Sequence, residues 1–147
     1  MKIFIGADHR GVTLKAAIKE ALPMYTWIDV GCHSTDRTDY PIYAQDVCNR
    51  ILQEPTNTPG ASARGILICG SGVGMSIAAN RYKGIYAALC WNEAITTSAR
   101  ADDNANVLVL AANQTNPELA VKLVQLFIET SFKEGVYRQR LCMVDEE

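Results

Sequence analysis

The sequence predicts an α/β protein with a single doubly wound domain, in which a five-stranded parallel sheet carries helices on both faces. Short apolar, β-branched runs alternate along the chain with segments of helical spacing, which is typical of a parallel sheet with crossover helices. The chain has 147 residues and is 48% hydrophobic and 20% charged, so it can bury one ordinary core. We therefore expect residues 1–147 to form one domain.

The amino-terminal third predicts two strands and a helix between them. Lys2–Ala7 is an apolar run and predicts the first strand. Val12–Leu22 has helical spacing and stops before Pro23, because proline cannot continue a helix. Tyr25–Val30 predicts the second strand.

The second helix and a long loop follow. Tyr40–Gln53 predicts a helix because its apolar residues recur at helical intervals, at Ala44, Val47, Ile51 and Leu52. Glu54–Ala63 contains two prolines and a glycine, and this composition predicts a surface loop.

The middle of the chain predicts a buried strand, a glycine-rich turn and a helix. Gly65–Cys69 is continuously apolar after its glycine and predicts the third strand, and the helix lies near Gly74–Arg81. Ile85–Leu89 predicts the fourth strand.

The remaining elements complete the alternation. Glu93–Asp102 predicts a helix and Val107–Leu110 the fifth strand. Pro117–Thr130 predicts a strong helix with proline in its first turn, and a last helical segment covers Val136–Val144. The resulting Rossmann-like sheet would bind ligands outside the carboxyl ends of its strands.

Composition excludes several classes of function. The net charge of −2 gives no electrostatic footprint for nucleic acid, and no apolar run approaches the roughly 18 residues of a membrane span. The chain begins directly as a strand, so we expect a cytoplasmic protein. Two histidines and an odd number of cysteines without a Cys-x-x-Cys pair argue against a metal site or a disulfide framework.

The turn after the third strand is the strongest functional signal. Gly70, Gly72 and Gly74 let the backbone approach a ligand, and the helix start beyond them favours negative charge. Cys69 ends the strand, so a thiol and a ring of backbone N–H groups would face one point. This arrangement predicts an anion site with a nearby group for proton transfer.

Three kinds of chemistry compete for this turn. A dinucleotide site needs a third glycine and a cysteine phosphatase loop needs an arginine, but both positions hold Met75. The dinucleotide pattern is weakened rather than eliminated, since Glu93 lies about 20 residues on. The third chemistry is proton abstraction beside a carbonyl by Cys69, with Ser71 assisting and backbone N–H groups holding the oxyanion. The structural alternative is a small, inert cysteine at the end of a strand.

Several motifs resemble those of ribose-5-phosphate isomerase B and the galactose-6-phosphate isomerase subunits. The resemblance covers nearly the whole chain, with an enlarged loop at Glu54–Ala63. The motifs are Ile-Cys-Gly-Ser-Gly-Val-Gly at 68–74, Gly-Ala-Asp-His-Arg-Gly at 6–11, Arg-Thr-Asp-Tyr-Pro at 37–41, Ala-Ala-Asn-Arg at 78–81 and Asn-Val-Leu at 106–108.

This resemblance implies an aldose–ketose isomerase that works through an enediolate without a metal or organic cofactor. It implies that Cys69 is the base, that Ser71 assists, and that the 70–74 turn holds the developing anion through residues Gly70, Gly72, Val73 and Gly74. Asp8 and His9 would bind sugar hydroxyls or phosphate, and Tyr40 would line the sugar. The sites would lie in a homodimer or tetramer, with residues shared between subunits.

The sequence departs from the family pattern in the part of the site that surrounds the phosphate and opens the ring. The ring-opening histidine is replaced by Asp102, and the following asparagine by Asp103. A phosphate-binding arginine is replaced by Asn113. The family pattern has two arginines near the carboxyl terminus. Arg140 matches one of them, and Val136 occupies the position of the other. Arg138 and Arg10 are candidate replacements, since guanidinium binds phosphate through paired hydrogen bonds.

We therefore expect conversion of ribose 5-phosphate to ribulose 5-phosphate, with the catalytic residues Cys69, Ser71 and Asp102. Asp103, Arg138 and Arg140 are expected to join the substrate-binding set. A 6-phosphohexose isomerase is the alternative, because a longer sugar moves the phosphate away from the cysteine. A non-catalytic sugar-phosphate binding protein is the second alternative.

Overall fold

The computed structural model describes residues 1–55 and 63–146 and contains one five-stranded parallel sheet in the order β2-β1-β3-β5-β4. The strands are β1 (Lys2–Ala7), β2 (Thr26–Asp29), β3 (Arg64–Cys69), β4 (Ala87–Leu89) and β5 (Val107–Ala111). The helices are α1 (Val12–Ala21), α2 (Tyr40–Gln53), α3 (Val73–Ala79), α4 (Glu93–Ala101), α5 (Pro117–Glu129) and α6 (Val136–Asp145). The predicted fold class is thus confirmed. Of the predicted 54–63 loop, residues 56–62 lie outside the described residues.

Two apolar layers hold helices against the sheet. Helices α1, α4 and α5 cover one face, where Ile66 and Ile68 pack with Leu123 and Phe127. Helices α2 and α3 cover the other face, packing against alternate residues of the same strands. Strands β3 and β5 are buried along their whole length, because both of their faces are covered.

Two asparagines explain where the structure departs from the predicted element bounds. Strand β4 begins at Ala87 rather than Ile85, because the Asn106 side chain accepts from the Tyr86 N–H and donates to the Gly84 carbonyl, taking the place of strand pairing. Helix α3 ends at Ala79, and the Asn80 side chain then pairs with both backbone groups of Ala87. The other bounds differ from the predicted ones by at most one residue.

Helix α6 is the exception to the layered packing. None of its described residues is buried, and Val136, Met143 and Val144 are exposed. It is joined to the amino end of the sheet, where Asp145 accepts a hydrogen bond from the Tyr86 hydroxyl. Among the described residues, no helix combines the length and the apolar composition that crossing a bilayer requires.

Strand order places the loops after β1 and β3 side by side. The chain crosses from β1 outward to β2 and then returns past β1 to β3, so the direction of winding reverses between these two strands. Ala7 pairs with Ile68, and the Asp8 N–H donates to the Ile68 carbonyl at 3.1 Å. Doubly wound sheets bind ligands at such a reversal, outside the carboxyl ends of the strands.

Candidate active site

A cleft of about 240 Å³ opens at this carboxyl edge. It brings together residues from three strand ends and the start of α2. Its lining residues are Asp8, Arg10, Tyr40, Cys69, Gly70, Ser71, Gly74 and Asn113. Six of them belong to the predicted site. Arg10 was predicted only as a candidate replacement for a phosphate-binding arginine, and Asn113 only as a departure from the family pattern.

Cys69 is the last residue of β3 and faces the α2 and α3 layer. It packs in the same cluster as Met75 and is 4% exposed, yet it lines the cleft. Its strand is fixed on both sides, since Cys69 pairs with Ala111 of β5 and its carbonyl accepts from the Ala112 N–H at 2.9 Å. Strand pairing therefore holds Cys69 in one place at the wall of the cleft.

Of the predicted turn residues, Gly70, Ser71 and Gly74 line the cleft, whereas Gly72 and Val73 do not. Within the described chain, the N–H groups of Gly70, Ser71 and Gly72 have no hydrogen-bond acceptor, while the Ser71 hydroxyl accepts from the Val73 N–H at 3.3 Å. Gly72 has φ of +76°, and a Cβ there would lie 2.4 Å from the Leu89 side chain, so this position requires glycine. Successive free amides in such a turn form a concave donor site for an anion.

Tyr40 forms a wall of the cleft because Gly74 leaves space for it. A Cβ at Gly74 would lie 2.5 Å from Cζ of the Tyr40 ring. The ring is 37% exposed and stands at the first position of α2. The predicted contact of Tyr40 with a sugar has this geometric basis.

The loop after β1 contributes a carboxylate and an imidazole. Asp8 is buried, and its Oδ1 accepts from the Arg10 N–H at 3.0 Å. Asp8 does not cap the following helix, because α1 has Gly11 at its N-cap and no side-chain capping bond. His9 is absent from the cleft lining, and its Nδ1 lies 3.2 Å from the Thr38 carbonyl oxygen.

Arg10 lies across Gly70 at the mouth of the cleft. A Cβ at Gly70 would lie 2.7 Å from Cδ of Arg10 and 3.1 Å from Nδ2 of Asn113. Only glycine at position 70 allows these two side chains to approach the turn so closely.

The remaining predicted residues form a second group at the amino edge. Asp102 follows α4, which runs from the carboxyl end of β4 to the amino end of β5, and it pairs with Lys133 at 2.6 Å. Asp103 is exposed beside it. Arg138 forms two hydrogen bonds with Glu134, and Arg140 lies over the Tyr137 ring at 5.4 Å. One chain thus holds the two halves of its predicted site at opposite edges of the sheet.

Two residues near the cleft and one in the second group were not predicted. Trp91 and Gln114 line an adjoining cavity of about 420 Å³ that shares Ser71 with the cleft. Both lie within four residues of the end of a predicted strand, and the rule that ligands bind beyond strand ends would have pointed to them. No local sequence pattern points to Lys133, because its partner Asp102 lies 31 positions away along the chain.

Comparison with known proteins gives a consistent result. The model of the ribose/galactose isomerase family matches residues 3–144. Ribose-5-phosphate isomerase B of Escherichia coli is 37% identical, over 95% of this chain and 91% of the relative.

Solved structures agree with this match. A ribose 5-phosphate isomerase from Thermotoga maritima is 40% identical with a TM-score of 0.91, covering 99% of this chain and 98% of that chain. Ribose-5-phosphate isomerase B from Mycoplasma genitalium with bound ribulose-5-phosphate is 35% identical with a TM-score of 0.89, covering 98% and 93%. The chain belongs to the ribose/galactose isomerase family.

Proposed function

We propose that this chain interconverts ribose 5-phosphate and ribulose 5-phosphate through an enediolate. The observation that carries this proposal is the cleft that Cys69 lines together with Gly70 and Ser71, whose N–H groups have no acceptor within the described chain. A base and a set of oxyanion donors at one point are what proton transfer next to a carbonyl requires. The relatives with the same fold, including the one that holds ribulose-5-phosphate, support this substrate.

In the proposed mechanism, Cys69 as thiolate removes the proton from C2 of the open-chain aldose. The electron pair moves to the carbonyl oxygen, and the amides of the turn stabilise the negative charge that develops there. Cys69 then returns a proton to C1, which gives the ketose. Ser71 lies beside the same oxygens and carries the proton between them.

Substrate contacts are proposed for Asp8, His9 and Tyr40. The Asp8 oxygen that does not bind the Arg10 N–H is free to accept from a sugar hydroxyl. Nδ1 of His9 faces the Thr38 backbone, which leaves Nε2 for the substrate. The Tyr40 ring packs against the sugar carbons.

The amino-edge group is proposed to complete the site of a second copy in a homodimer. The four residues of this group lie at the opposite edge of the sheet from the cleft of their own chain, and they cannot contact a substrate there; they are Asp102, Asp103, Arg138 and Arg140. Exposed apolar residues flank both groups, with Val73 and Ile77 on α3 and Val136 and Met143 on α6. An exposed apolar patch and a helix with no buried residue both indicate a surface that a partner covers.

We place this activity in the cytoplasm. All five cysteines are free, including the exposed Cys142, which suits a reducing compartment.

The decisive experiment compares three sugars: ribose 5-phosphate, allose 6-phosphate and galactose 6-phosphate. Each is incubated with the protein in deuterated water, and ketose formation and deuterium exchange at C2 are followed. We expect turnover with ribose 5-phosphate. Turnover with a hexose alone would support the 6-phosphohexose alternative, which Asn113 and Asp102 motivate. Binding without any exchange would overturn the enzyme proposal and leave a binding protein.

A further inference from the structure

A sugar phosphate brings a strongly charged anion into the cleft. Among the eight described residues that line the cleft, Arg10 is the one cation, and the single carboxylate, Asp8, is occupied in part by a backbone N–H. A phosphate has about −2 charge and several acceptor oxygens, and guanidinium matches it with paired donors. Within one chain, the charge balance of the cleft therefore depends on Arg10.

The Arg10 guanidinium is free to take a ligand. No hydrogen bond or ion pair occupies it within the described parts of the chain, and the residue is exposed. The two other arginines considered for phosphate differ. Arg138 is held by both oxygens of Glu134, whereas Arg140 stacks on Tyr137. Arg10 thus offers its donors without first breaking an existing pair.

Local geometry holds Arg10 at one end of the cleft. Its backbone N–H is fixed by Asp8, and its side chain crosses Gly70, where a Cβ would lie 3.3 Å from Nη1. The Asn113 amide approaches the same point. The guanidinium of Arg10 and the amide of Asn113 therefore both lie beside Gly70, where they are close enough together to bind one anion.

We infer that Arg10, with Asn113 beside it, binds the phosphate of the sugar phosphate and so selects phosphorylated over unphosphorylated sugars. This inference rests on the proposed function, since it assigns the anion of the same substrate. It separates two tasks within the cleft: Cys69 and the turn act on C1 and C2 of the sugar, and Arg10 holds its phosphate. Arg10 is thus a specificity-determining residue rather than part of the proton transfer.

The test uses Arg10→Met, Arg10→Lys and the control Arg50→Met. Arg50 is an exposed arginine near the end of α2 that pairs with Asp46, so its loss changes net charge equally without touching the cleft. We expect Arg10→Met to raise KM for ribose 5-phosphate about tenfold or more, with kcat within about threefold. The KM of Arg10→Lys should lie between those of the wild-type protein and Arg10→Met, because an ammonium is a point charge without paired donors.

Calorimetric titration with inorganic phosphate and with ribose separates this inference from the isomerase proposal, because it needs no turnover. We expect Arg10→Met to lose phosphate binding while ribose binding stays as in the unmodified chain. Unchanged KM and phosphate affinity in Arg10→Met would overturn the inference, as would wild-type protein that binds no phosphate. A fall in kcat with unchanged KM would also overturn it, by assigning Arg10 to the enediolate.

Discussion

At the scale of single residues, the cleft depends on where side chains are absent as much as on where they are present. Gly70, Gly72 and Gly74 each stand where a Cβ would lie 2.4 to 2.7 Å from a neighbouring side chain. Those neighbours are Arg10, Leu89 and Tyr40. The glycines thus set the positions of three side chains around Cys69, besides exposing backbone amides.

Replacing Cys69 by alanine removes the proposed base. We expect kcat to fall by about 10²- to 10⁴-fold and C2 exchange to disappear, while calorimetric binding of ribose 5-phosphate remains. The control is Cys48→Ala, because burial raises the pKa of the Cys48 thiol to about 12 and keeps it unreactive. Full activity in Cys69→Ala would show that another group moves the proton.

Replacing Gly74 by alanine tests the wall of the cleft. The new methyl group would meet the Tyr40 ring, which is partly exposed and can rotate outward. We expect KM to rise several-fold with little change in melting temperature, since alanine suits a helix better than glycine. In a Tyr40→Ala background the same substitution should have no further effect on KM. An equal effect in both backgrounds would contradict this coupling.

At the scale of elements, a partly buried cluster of charges joins α1 to the end of β2. Lys15, 3% exposed, donates to Asp29 at 2.7 Å, and Lys19 donates to the other carboxylate oxygen at 2.8 Å. Burial by itself would raise the pKa of Asp29. The two lysines and the Gly31 N–H outweigh it, and the pKa of Asp29 lies below its ordinary value.

Asp29→Asn should therefore destabilise the protein in a pH-dependent way. The lowered pKa means that the unfolded state binds more protons near pH 4, so this stabilisation is complete above that pH and is lost as the pH falls through the folded-state pKa. We expect a loss of about 2 kcal/mol at pH 7, shrinking below about pH 4, measured by urea unfolding. Asp46→Asn, an exposed pair with Arg50, should cost less than about 0.5 kcal/mol. A pH-independent difference for Asp29→Asn would refute the linkage.

Element types were predictable from the sequence, whereas some of their ends were not. Continuous apolar runs identify β3 and β5, because both faces of a parallel sheet are covered. The start of β4 depends on Asn106, 20 positions away from the Tyr86 N–H that it binds. No local sequence pattern reveals that contact, so the predicted strand is two residues longer than β4. Helix α6 was predicted, but its position at the amino edge was not.

At the scale of the whole molecule, the predicted residues separate into two groups. Motif spacing and the strand-end rule were sufficient for the cleft around Cys69, because both concern residues near one edge of the sheet. Asp102 follows the crossover helix α4, and Arg138 and Arg140 lie in α6, so all three are at the other edge. The family motifs, which group these residues with the cleft, do not reveal that separation. The proposed homodimer resolves it by placing the amino edge of one chain against the cleft of its partner.

This arrangement predicts that two inactive variants restore each other. One is Cys69→Ala, and the other is the double variant Arg138→Ala/Arg140→Ala, which we expect to lose most activity through a raised KM. After mixing, unfolding and joint refolding, half of the dimers would be mixed, and each would hold one site with both halves intact. We expect activity of about a quarter of wild type if subunits pair at random. Mixing without subunit exchange is the control and should give none of this gain. If the jointly refolded sample is no more active than the sum of its parts, each chain forms its site alone, and the shared-site homodimer is wrong.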